Sequence, residues 1–447
     1  MSTCRAGRPR VVGRRVGVIG GGVAGIAVTK ALVARGVEVE AYERSDRLGG
    51  VWSNGNPYDE VTAAYDTLTL NSSKRTTQFP DHPMPDHYPD YPSGVQVEDY
   101  LNDYADRFGV RQRYRFETTV ERAARRGDGG WDLCLSTGER RRYDLLVAAN
   151  GHHHTPNVPA FPGEFHGTVM HSHGYRRREE LRGRDVVVLG LGNSAMDVAA
   201  EAAKVARTTT LAARRGTYVL PKYLFGIPLD RLPNDPRVPF AIRRRLLAGL
   251  IRLGHGRMRD FGLPDPDHPL GGSHPTVSQE IFAQLKAGRI TVKPNIARYD
   301  GDGVEFVDGS RVRADLVVLA TGYRIVFPFL DEDVLSAPDN RVELYLNVFD
   351  PRYDDLAVLG LVQTVGSNIR MAHAQAQLVG DWATGRYALP RPEVMRREIA
   401  ANTAAIRRRY VASPRHTLQV DHHEYLRRLD RERREGAERA GPVTSPR

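Results

Sequence analysis

Two glycine-rich turns of dinucleotide type stand far apart in this one chain. VGVIGGGVAG places Gly20, Gly22 and Gly25 in G-x-G-x-x-G spacing, and VVVLGLGNSA places Gly190, Gly192 and Ala195 in the same frame. One such turn constrains little. Two, each fitted between a strand-like run and a helix-like run, require two α/β units that each seat a diphosphate on a helix N-terminus.

In the first unit the apolar run Arg15–Ile19 reads as a strand, residues 23–35 as a helix that Gly36 ends, and residues 37–42 as a second strand. Glycines are needed in the turn because a Cβ would block close approach of backbone to phosphate. Glu43 follows the second strand, at the offset of an acid that binds ribose hydroxyls. The second unit repeats the plan with a strand at Asp185–Leu189, a helix at 194–204 and a strand at 208–213. Asn193 and Ser194 open that helix at the phosphate. Where the first unit has its acid, this one has Arg214 and Arg215. A guanidinium grips a 2′-phosphate with paired hydrogen bonds, whereas a carboxylate repels it. The pair therefore favours NADPH at the second turn and FAD at the first; the plainer alternative for Arg214 is a solvated arginine. Two nucleotides face to face are the layout of a flavoprotein that takes hydride from a nicotinamide.

Composition narrows the class. The 447 residues suffice for two or three domains, and 40% hydrophobic with 26% charged residues is ordinary for a globular protein. The net charge of +10 comes mostly from arginines scattered along the chain, without a nucleic-acid module. Disulfide reductases with two dinucleotide sites need a close cysteine pair, but Cys4 and Cys134 are far apart. Cytoplasmic residence fits that usage. No apolar run reaches the length of a membrane span.

The expected fold is α/β, with two Rossmann-like domains and the NADPH domain inserted into the FAD domain. A basic leader occupies 1–10 and the first FAD segment 11–175, with a strand in DLLVAANG (144–151). The NADPH domain takes 176–313, and the FAD domain resumes over 314–425 with the buried strand of ADLVVLATGY. Residues 426–447 read as a charged helix fraying into disorder. Within the insert, 220–275 is rich in Pro, Gly and Arg, and PFAIRRRLLAGLIRLGHG reads as a basic amphipathic helix that caps the domain or meets a membrane surface or partner. The run His152 to His154 lacks the spacing of a metal site, so no metal is expected.

Nearly the whole chain resembles the flavin-containing monooxygenases. Their fingerprint F-x-G-x-x-x-H-x-x-x-F/Y appears as FHGTVMHSHGY, matched at Phe165, Gly167, His171 and Tyr175. ERSDRLGGVWS is similar to the flavin-side segment and supplies Gly50 and Trp52; LNSSK is similar to the segment of the active-site Asn, here Asn71. DLVVLATGY and GLVQTVGS match two further stretches, the latter placing Gln363 along the flavin. The resemblance implies that NADPH reduces FAD, that dioxygen forms a C4a-hydroperoxyflavin, and that a soft nitrogen or sulfur of a small molecule takes the distal oxygen. It implies Asn71 near the flavin and nicotinamide ribose, a neutral amide that donates and accepts together, with His171 ordering the hinge. It also implies a homodimer. The alternatives are Baeyer–Villiger oxygenation of a ketone, whose related fingerprint usually ends in Trp or Phe followed by Pro or Asp rather than Tyr175-Arg176, an uncoupled NADPH oxidase, and a nucleotide-binding sensor without catalysis.

Overall fold

The computed structural model describes residues 14–232, 240–364, 366–411 and 417–442. The leader, Pro239 of the amphipathic segment and the extreme C-terminus lie outside the described residues.

Each glycine turn seeds its own five-stranded parallel sheet. In the first, Arg15–Ile19 is central, between Glu38–Tyr42 and Leu145–Ala148, with Tyr114–Arg115 and Leu356–Val358 at the edges. In the second, Asp185–Leu189 lies between Thr208–Ala212 and Leu316–Leu319, with Thr291–Lys293 and Thr168–His171 outermost. Parallel strands need covered faces, which explains their unbroken apolar runs. The helix Val23–Val33 packs on the first sheet and against the helix Asn368–Ala383. Ile26, Val28 and Leu32 are fully buried there, each worth about 1.5–3 kcal/mol. The three-stranded antiparallel sheet Val120–Arg125, Trp131–Leu135 and Arg140–Tyr143 extends the first unit; Ile296–Asp300, Gly303–Phe306 and Arg311–Arg313 extend the second.

The domain borders move from their expected places. Leu316–Leu319 does not return the chain to the first sheet; it pairs with Asp185–Leu189 on one side and Thr168–His171 on the other. The second unit thus begins before residue 168 and closes after residue 319. An all-apolar run satisfies either sheet equally, so its composition does not name its partner.

The tail also differs from the solvated helix expected. The helix His422–Ala440 starts from an Asp421 cap and buries Tyr425, Leu429, Glu432 and Gly436 along one stripe. Gly436 is there because a Cβ would lie 1.9 Å from the Tyr387 ring. Asp381 joins Arg433 of this helix to Arg35 beside the first helix, at 2.7 and 2.8 Å. The helix is therefore part of the first unit, its narrow apolar stripe hidden among charges. In the insert, the helix Phe240–Gly254 sets Ile251 against Leu220, Leu224 and Leu270, while Leu246 and Leu253 stay exposed. Among the described residues no helix is long and apolar enough to cross a membrane.

Candidate functional site

The first turn is built as a closed cradle. Gly20 has φ +110°, and a Cβ there would meet the Ala149 carbonyl oxygen at 2.5 Å. A Cβ on Gly25 would lie 1.8 Å from the Gly20 oxygen, so that glycine lets helix and strand touch. Gly22 is different: a Cβ would find only the Gly50 Cα, at 3.8 Å. Contacts within the protein do not require that glycine, which leaves backbone open to a ligand. The helix behind it has no side-chain cap and no acid in its first turn, so its free N–H groups face the same space. A diphosphate fits there. Glu43 is 5% exposed and accepts from the Gly21 N–H at 2.6 Å and the Ser45 N–H at 2.9 Å. The acid expected to reach a ribose also braces the turn.

The second turn repeats this geometry. Gly190 has φ +131°, and a Cβ would meet the Ala320 oxygen at 2.5 Å. The helix Asn193–Val205 again starts without a side-chain cap or first-turn acid. Asn193 uses its Oδ1 to accept from the Val277 N–H at 2.8 Å, tying the turn to the insert. Arg214 and Arg215 follow the strand Thr208–Ala212 and are exposed.

One cleft of about 1430 Å³ runs between the two units. Trp52, Asn71 and Gln363 line it from the first unit; Gly190, Gly192, Asn193, Ser194, Arg214 and Arg215 line it from the second. Residues distant in sequence are thus brought to one wall-to-wall space. Gly20, Gly22, Gly25, Glu43 and Gly50 do not line it, although Val51 and Trp52, next along the chain, do. Gln363 is held by its N–H to the Leu418 carbonyl at 2.8 Å, in a short parallel pair with Gln419–Val420. Asn71 follows Leu70, whose N–H donates to the Pro92 carbonyl at 2.9 Å.

The four matched fingerprint positions lie outside the cleft lining, although Ser172 within the motif belongs to it. Phe165 stacks on Tyr299 at 5.3 Å, and a Cβ on Gly167 would strike the Phe165 ring at 2.6 Å. His171 ends the outer strand, its Nε2 3.0 Å from the Gly322 carbonyl and its Nδ1 accepting the His173 N–H at 3.0 Å. Tyr175 is fully buried and donates to Glu201. The His171 contact joins the strand that opens the second unit to the turn that follows Leu316–Leu319.

Several cleft residues escaped sequence reasoning. His152, Tyr323, Asp267 and His268 line the cleft as well. Burial holds His152 and His154 at about 4, so both are neutral at physiological pH. The His152 to His154 run had suggested only a metal question; its signal as a cleft wall was its position after a sheet strand, where α/β ligands collect. Asp267 is kept below its usual range, first by the His268 hydrogen bond and also by Arg215.

Two uncapped turns of dinucleotide type, the second opening into the cleft between the units, give the architecture of a two-nucleotide flavoprotein oxidoreductase. The flavin-binding monooxygenase-like family pattern matches residues 13–433. Flavin-containing monooxygenase 5 of the rabbit, Oryctolagus cuniculus, is 34% identical over 448 residues, covering 94% of this chain and 82% of that protein. Among solved structures, S-allyl-L-cysteine S-oxygenase from Allium sativum superposes with TM-score 0.71 at 22% identity, over 96% of this chain and 92% of the other. An oxidised steroid monooxygenase bound to NADP superposes with TM-score 0.71 at 17% identity, over 96% and 99%. The chain belongs to the flavin-binding monooxygenase family. It is a flavoprotein monooxygenase with FAD and NADPH as cofactors.

Proposed function

We propose that this enzyme oxygenates a soft nitrogen or sulfur nucleophile of a small molecule, consuming NADPH and dioxygen. The observation that carries this reading is the meeting of Asn71, Trp52 and Gln363 with the second glycine turn in one cleft. FAD, when bound, accepts hydride from NADPH and activates dioxygen. The chain's own work is placement and exclusion of water. Gly22 and the bare helix end behind it would hold the FAD diphosphate, with Glu43 behind the turn. Gly190, Gly192, Asn193 and Ser194 would hold the diphosphate of NADPH, and Arg214 and Arg215 its 2′-phosphate. Asn71 would donate and accept beside the reacting centre without adding charge.

The fingerprint ending Tyr175-Arg176 supports nitrogen or sulfur oxygenation over Baeyer–Villiger chemistry. The test is product analysis with panels of tertiary amines, sulfides and cyclic ketones under labelled dioxygen. Labelled N-oxide or S-oxide is the expected product; lactone or ester alone overturns the reading. We further propose a cytoplasmic homodimer, supported by the absence of a close cysteine pair and by the family resemblance. Light scattering of the purified chain checks its mass.

A further inference from the structure

The segment that bears Asn71 is held from both units: its backbone bonds Pro92, Asp90 and Gly94 of its own unit, while its side-chain hydroxyls reach charged groups of the other. Tyr65 donates its hydroxyl to Asp197 Oδ2 at 2.5 Å, and Thr67 donates to Glu201. Glu201 also accepts from Tyr175, whose ring packs 5.6 Å from that of Tyr65. Lys222 reaches Thr69 Oγ1 at 2.5 Å. Further along, Asp230 accepts from the Ser73 N–H and the Thr76 hydroxyl, both at 2.6 Å. Four charged side chains of the second unit and its insert thus bind residues 65, 67, 69, 73 and 76, on both sides of Asn71.

Two of these groups sit on the helix that starts at the second glycine turn. Asp197 and Glu201 are four apart on Asn193–Val205 and share one face. Adjacent like charges are unfavourable on a helix, more so when one of them, Glu201, is only 5% exposed. The donors from Tyr65, Thr67 and Tyr175 offset that cost. Neither acid lines the cleft. Their hydrogen-bond partners are hydroxyls of the Asn71 segment and Tyr175, which makes the pair a link from the helix to that segment.

We propose that Asp197, Glu201 and Lys222 are positioning residues that couple nucleotide occupancy of the second turn to the placement of Asn71. A phosphate arriving at the helix N-terminus settles the helix, and the linked hydroxyls of Tyr65, Thr67 and Thr69 carry that order to the segment. The inference rests on the cofactor assignment above and deepens it.

The experiment is hydrogen exchange, followed by mass spectrometry, on the FAD-loaded full chain with and without saturating NADP+. In the wild type, NADP+ should slow exchange of peptides covering residues 65–77 by about tenfold, the worth of one hydrogen bond to a charged group. In Thr67→Val and in Lys222→Met, that NADP+-dependent slowing should vanish, while NADP+ affinity changes less than about threefold. A merely structural contact would alter baseline exchange but leave the response to NADP+ intact. An undiminished response in both variants overturns the proposal. So does a wild-type segment that ignores bound NADP+. A wild type that binds no NADP+ at all removes the cofactor assignment, and the proposal falls with it.

Discussion

The two glycine turns share one backbone plan and differ in what surrounds them. The first is set apart from the cleft lining, with the acid behind it buried against the turn. The second opens directly into the cleft, with Arg214 and Arg215 exposed at its rim. A cradle set back from the cleft suits a nucleotide that stays through many turnovers, and one that opens into it suits a nucleotide that exchanges. The motif thus states that a nucleotide binds, and the surroundings state for how long. Within the first turn a second contrast appears. Gly20 and Gly25 serve the protein's own packing, whereas Gly22 serves the ligand.

That contrast breaks first at Gly25. Gly25→Val should cost about 3 kcal/mol or more, because its Cβ would overlap the Gly20 oxygen. Thermal unfolding of the FAD-free protein measures it. Gly22→Ala should leave that unfolding temperature nearly unchanged, since the added methyl meets nothing nearer than 3.8 Å. Its FAD affinity should instead fall about a hundredfold, read by flavin fluorescence. Equal effects of the two substitutions on the FAD-free protein would erase the distinction between packing and ligand glycines.

At the open turn, Arg214→Ala and Arg215→Ala should together raise KM for NADPH by about tenfold or more, leaving KM for NADH unchanged. Steady-state kinetics with both coenzymes decide it. Asn71→Ala should keep FAD and NADPH oxidation but lower product formed per NADPH by about tenfold, with peroxide released instead. Full coupling in that variant removes Asn71 from the chemistry.

The smallest effect concerns Asp197. Burial raises it to about 6, with Tyr65 and Lys222 opposing that shift and Glu201 and Glu280 adding to it. Its folded-state value lies above that of the unfolded chain, so the folded protein holds this proton more tightly. Its contribution to stability is therefore fullest at about pH 4 and below, and is lost as pH rises through about 6. Asp197→Asn should stabilise the protein by about 1–3 kcal/mol near pH 8 and by much less near pH 4. Denaturant titrations at the two pH values check the sign. A carboxylate kept where it costs stability agrees with a positioning role.

Much of the fold was legible because both parallel units are local in sequence. Strand, glycine turn, helix and strand follow one another, and each has its own period and punctuation. The borders were not legible, since Leu316–Leu319 is equally apolar toward either sheet and only its pairing assigns it. The C-terminal helix hid its buried stripe of Tyr425, Leu429, Glu432 and Gly436 among arginines and acids. At the site, residues belonging to motifs were visible: Trp52, Asn71, Gln363 and the second turn do meet. Those acting across the domain gap were not. Asp197 and Glu201 look like the polar face of an ordinary helix until Tyr65, Thr67 and Tyr175 are folded against them.

The central claim is that one resident flavin and one exchanging nicotinamide nucleotide share the cleft. Anaerobic titration of the purified protein with NADPH, followed by visible absorbance, tests it most directly. A yellow protein whose flavin band bleaches fully with about one equivalent of NADPH is the predicted result. A colourless protein that takes up no added FAD, or a bound flavin that NADPH leaves oxidised, would contradict it.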